Sequence, residues 1–112
     1  MARRTIDHRQ TFALEDGWLV RTVVKPDRSS YQHRCSMESY RAVAHFIDEH
    51  ATGGVTTNGL WNGLTGVPCT QAAIALAFLK ERGCVAIRHR RCYPASNFLI
   101  EDALTAFHAL DA

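Results

Sequence analysis

Residues 68–93, PCTQAAIALAFLKERGCVAIRHRRCY, decide how the chain is read. Ala72, Ala75, Leu76 and Leu79 recur at steps of three and four, which places them on one side of a helix starting near Cys69 and Thr70. Gly83 offers that helix a left-handed stop. Val85 and Ile87 then alternate with Ala86, Arg88 and Arg90 as on a half-buried strand, and Arg91 extends the basic run. A helix, a stop and a basic strand tip thus follow one another within 26 residues.

Upstream, Ser36 is a good N-cap for a helix running to about His50, with Met37, Tyr40, Val43, Ala44 and Ile47 gathered on one side. Gly53 and Gly54 end it, Val55 and Thr56 can pair as a minimal strand, and Thr57 caps a short helix through Leu64. Gly66-Val67-Pro68 supplies the turn into the next helix, because proline lacks the N–H needed to continue the previous one. Downstream, Ser96 can cap a last amphipathic helix through Leu110. Its stripe of Leu99, Ala103, Ala106, Phe107 and Leu110 needs cover, which predicts a homodimer built through this helix.

The first ten residues, MARRTIDHRQ, lack periodicity and are expected to form a flexible basic arm. Asp16-Gly17 is a two-residue hairpin signal between Phe12-Leu14 and the strand-forming Trp18, Val20, Val23 and Val24. Lys25 to Ser30 reads as a loop, and Tyr31 to Cys35 returns as a short strand. The expected organisation is an arm over 1–10 and one domain over 11–112. That domain divides into a β-hairpin extension (11–35), a core (36–95) and the C-terminal helix (96–110).

Length and charge bound the function. The 112 residues fit one domain, and 46% apolar residues fill a modest core. Thirteen Lys and Arg against eleven Asp and Glu give only +2, so placement matters more than total. Residues 1–34 carry seven basic and four acidic side chains (+3), residues 35–83 three and four (−1), and residues 84–112 three and three. The positive charge sits in the arm and at Arg88, Arg90 and Arg91.

Other classes find no support. Cys35, Cys69, Cys84 and Cys92 contain no C-x-x-C pair and follow no secretory segment, which points to reduced thiols in the cytoplasm. The six histidines show no H-E-x-x-H spacing, so no metal is expected. There is no G-x-S-x-G and no phosphate-binding glycine loop, so neither an enzyme nor a cofactor is expected. No apolar run approaches the ~20 residues that cross a bilayer.

From Met37 to about Tyr93, the order helix, tiny strand, short helix, turn, helix, strand and basic wing resembles the winged helix-turn-helix superfamily of bacterial and phage transcriptional regulators. AIALAFLKERGCVAIR is similar to the phrase in which the recognition helix of multiple-drug-resistance or arsenic-responsive repressors runs into an apolar strand. The resemblance implies an α+β winged-helix fold and a regulator that binds double-stranded DNA. Its helix over 70–82 would enter the major groove with Thr70, Gln71 and Ile74, and Arg88, Arg90 and Arg91 would lie on the backbone. Arg3 and Arg4 would add an arm in the minor groove.

With the core side fixed by Ala72, Ala75, Leu76 and Leu79, the opposite side carries Thr70, Ile74, Ala77 and Glu81, flanked by Gln71 and Phe78. Only Gln71 is a good base reader. The alternative is a protein-interaction module in which Ile74 and Phe78 dock a partner, without sequence-specific DNA binding.

Overall fold

A computed structural model of the chain describes residues 9–111. It is α+β: a three-stranded antiparallel sheet at the N-terminal end, four helices and a separate β-hairpin.

The sheet is β1 (Arg9–Glu15), β2 (Trp18–Val24) and β3 (Ser30–Cys35), in that spatial order. Asp16 and Gly17 form the expected two-residue turn, both left-handed at φ 53° and 81°, as the twist of a tight hairpin requires. The turn pairs Leu14 with Leu19, and β3 then sets Cys35 opposite Leu19. Paired residues share a face, so Phe12, Leu14, Leu19 and Cys35 make one apolar patch at one end of the sheet. β1 begins at Arg9, so residues 9 and 10, expected in the arm, belong to a strand.

Helix α1 (Met37–Glu49) starts where Ser36 accepts a hydrogen bond from the Ser39 N–H at 3.0 Å. It buries Tyr40, Val43, Ala44 and Ile47. Helix α2 (Thr57–Gly63) is capped one residue earlier than expected, by Thr56, whose hydroxyl oxygen accepts from the Gly59 N–H at 2.9 Å. Helix α3 (Cys69–Glu81) follows Pro68, and Gly83 closes it at φ 74°.

β4 (Val85–Arg88) and β5 (Arg91–Pro94) form the basic hairpin. Val55 bridges to Cys92 through two backbone hydrogen bonds of 2.9 and 2.8 Å, which ties the hairpin to the segment between α1 and α2.

Helix α4 (Leu99–Ala109) departs from expectation in two respects. Ser96 does not cap it: its hydroxyl accepts from the Phe98 N–H and donates to Asp102 Oδ2, bracing the turn before the helix. The apolar stripe is also already covered within the chain. Leu99, Ala103 and Phe107 are buried in the same core as α1, and the Tyr40 hydroxyl donates to the Ala103 carbonyl at 2.6 Å. Leu110 is half-buried against that core. The exposed stripe that motivated a dimer through Leu99, Phe107 and Leu110 is therefore not present.

Burial also separates the four thiols. Cys35, Cys84 and Cys92 are buried and Cys69 is exposed at the start of α3. Desolvation pushes the Cys35 thiol up to about 12, Cys92 to about 11 and Cys84 above its ordinary value. A thiol reagent at pH 8 should therefore modify one site per native chain, Cys69, and four after unfolding; mass spectrometry counts them.

The same shifts set a pH dependence. Above about pH 9 the unfolded chain releases thiol protons that native Cys35 and Cys92 retain up to about 12 and 11. The native state then binds more protons, so stability falls as pH rises through that window. No helix among the described residues is long and apolar enough to cross a membrane.

Candidate nucleic-acid interface

Helix α3 reads CTQAAIALAFLKE, with apolar residues on almost every side, and two bodies cover it. These are α1 and the N-terminal sheet, and Ile74 and Phe78, expected on or beside the outward side, are buried. Ile74 is 1% exposed and Phe78 0%. The Phe78 ring lies edge-on to Phe12 of β1 at 5.0 Å and to Tyr40 of α1 at 5.8 Å. Both residues belong to the core, which corrects their placement on an outward face for base contact or partner docking.

Gln71 is also engaged. Its Oε1 accepts the Ser36 N–H at 3.0 Å, clamping the start of α3 to the start of α1. The expected base reader thus serves as a structural acceptor. The side chains α3 leaves at the surface are Cys69, Thr70, Lys80 and Glu81, with Ala73, Leu76 and Ala77 half-buried between them. Arg3 and Arg4 lie outside the described residues.

The hairpin tip holds the other candidates. Arg88 and Arg91 form the last registered pair, so two guanidinium-bearing side chains share one face directly across the ladder. Like charges so placed repel. The structure offsets this by seating the Arg88 guanidinium over the Tyr93 ring at 4.4 Å and by letting Arg91 donate to the Gly53 and Gly54 carbonyls at 3.3 and 3.5 Å.

His89 and Arg90 make the turn at φ 50° and 64°, a pair of left-handed positions where Asn-Gly would be unstrained. Arg90 turns toward a hollow of about 310 Å³ that it shares with Lys80 of α3 and Thr57 of α2. The described residues contain one salt bridge, Arg82 to Glu81 at 3.2 Å, so none of Lys80, Arg88, Arg90 and Arg91 is neutralised by a carboxylate there.

Sequence reasoning missed two features. Lys80 joins the hairpin cations because α3 ends beside β4, a juxtaposition that becomes legible once Gly83 is taken as a tight reversal. A second basic tip gathers Arg9, Lys25 and Arg28 around a hollow at the β2–β3 turn. Its sequence signal was the Lys25-Pro26-Asp27-Arg28 turn itself, in which the Ser29 hydroxyl and N–H hold the Asp27 carboxyl below its ordinary range.

No group of three His, Cys, Asp or Glu side chains among the described residues could hold a metal ion. Comparison of the chain with protein-family models, curated proteins and solved structures returned no match.

Proposed function

We infer that the chain is a winged helix-turn-helix protein that binds double-stranded DNA chiefly through the phosphate backbone. The order α1, Val55 bridge, α2, α3 and β4–β5 hairpin supports the fold reading. The observation that carries the binding reading is the run of Arg88, Arg90 and Arg91 at the hairpin tip, with Lys80 of α3 lining a hollow beside Arg90, and none of the four ion-paired to a carboxylate among the described residues.

Phosphates would supply the missing counter-charge. Phosphate contacts hold a protein on a duplex without reading its sequence, and the base-reading set expected on α3 has lost Gln71 and Ile74 to structural duty. Thr70, Lys80 and the small Ala73 and Ala77 surface leave the helix able to approach a groove closely but with little to discriminate bases. The expected regulator is therefore one of low sequence selectivity. A role in transcription is part of the same proposal, as is a homodimer, which would need a surface other than the α4 stripe.

Replacing Arg88, Arg90 and Arg91 together with alanine tests the reading. The slope of log K against log salt for a duplex oligonucleotide should fall by about 2.7 if each arginine meets one phosphate, at about 0.9 per contact. An unchanged slope, or no retention of the parent protein by any duplex at low salt, rejects it.

A further inference from the structure

We propose that the hollow beneath the β4–β5 hairpin is a binding site for a small amphiphilic carboxylate, with an apolar tail on the floor and the carboxylate between Lys80 and Arg90. This does not depend on the nucleic-acid reading.

The hollow, about 310 Å³, lies among α1, α2, α3 and the hairpin, at the lower end of the volumes that small-molecule sites occupy. Its floor is aliphatic: Ile47, Val55, Leu60, Leu76 and Ile87. Ile87 is the telling one. It lies 49% exposed on a strand whose other inward residue, Val85, is buried, so a side chain on the core-facing side of the hairpin has no core beneath it. A tail in the hollow would cover it.

The rim has the opposite character. Lys80 and Arg90 line it and, among the described residues, no carboxylate does. Thr56 lines it as well; its oxygen accepts the Gly59 N–H, leaving its own O–H to donate. An arginine fork, an ammonium and a hydroxyl suit a planar monoanionic head, which can take both N–H groups of a guanidinium at once.

Backbone geometry adds a separate observation. His89 and Arg90 both sit in the left-handed region that a two-residue hairpin turn requires, at a free-energy cost that Asn-Gly in their place would largely avoid. Strain of that kind gathers where a side chain must be held in one place. Here the residue held is the arginine on the rim.

The apolar floor distinguishes this ligand from a DNA phosphate. A duplex backbone brings charge to the rim but nothing to displace water from Leu60, Leu76 and Ile87. A carboxylate with a tail of about eight carbons brings both and fits the volume.

The test is a methyl-resolved NMR titration of the full chain with octanoate, 1-octanol and acetate. Octanoate should shift the methyls of Leu60, Leu76 and Ile87 saturably and bind at least about tenfold more tightly than either control, since each control supplies only half of the interaction. An R90Q/K80Q variant, altered only at exposed side chains, should bind octanoate no better than 1-octanol while keeping the parent's spectrum elsewhere. Equal binding of octanoate and 1-octanol by the parent, or octanoate shifts that spare those three methyls, overturns the proposal. Failure of duplex retention would leave this titration unchanged, so the two readings fail separately.

Discussion

Replacing Phe78 with alanine should lower the unfolding free energy by about 3–5 kcal/mol, the usual cost of truncating a buried aromatic. The ring is fully buried between Phe12 of the sheet and Tyr40 of α1, with the Arg82 guanidinium 5.2 Å from its centre. Domains of this kind are stable by only about 5–15 kcal/mol, so the loss would remove a large fraction of the total. Urea denaturation followed by circular dichroism reads the shift in midpoint. An outward Phe78 available to a partner would instead give a change within about 0.5 kcal/mol, as surface substitutions do. A measured loss under 1 kcal/mol would mean that the sheet does not sit on α3.

Gly54→Ala should cost about 2–4 kcal/mol, combining about 1 kcal/mol for a left-handed alanine with 1–3 for overpacking. Gly54 has φ 77°, and a Cβ there would stand 2.7 Å from Tyr93 Cζ and 3.0 Å from Arg91 Cβ. Val55 follows immediately and carries both hydrogen bonds to Cys92. The damage should therefore appear first as faster amide exchange at Val55 and Cys92. Gly53→Ala is the control: its Cβ would meet nothing within 4 Å and its backbone is not left-handed. If the two variants match, the close packing of Tyr93 against the 53–54 turn is not what fixes the hairpin.

The sequence is legible where the physics is local. Ser36 caps α1, Asp16-Gly17 turns the first hairpin and Gly83 ends α3 because each depends on neighbours a few residues away. The outer face of α3 was not legible in the same way. CTQAAIALAFLKE has apolar side chains around most of its circumference, and alanine suits a buried or an exposed position equally, so more than one arc could be drawn as the core side. The arc buried by β1–β3 is decided by Phe12, more than sixty residues earlier, which no window of helical length contains.

Helix α4 shows the same limit. Phe107 finds α1 through the Tyr40 ring, whose hydroxyl reaches Ala103 across 63 residues of sequence. A stripe without visible cover is thus weak grounds for a second subunit. Gln71 carries an amide suited to reading a base, but what it binds, the Ser36 N–H, is likewise set by the packing of α3 on α1.

Helix α3 touches α1, the N-terminal sheet and the hairpin, and the sheet has its apolar end docked on nothing else in comparable measure. As the chain leaves the ribosome, β1–β3 emerge ahead of residues 69–81 and must wait for them before Phe12, Leu19 and Cys35 can be shielded from water. For that interval the nascent chain presents a small sheet with a greasy end and open edges, the kind of surface that holdase chaperones protect and that aggregates when translation stalls. Pauses that leave β1–β3 outside the ribosome while residues 69–81 are still within it should be the harmful ones.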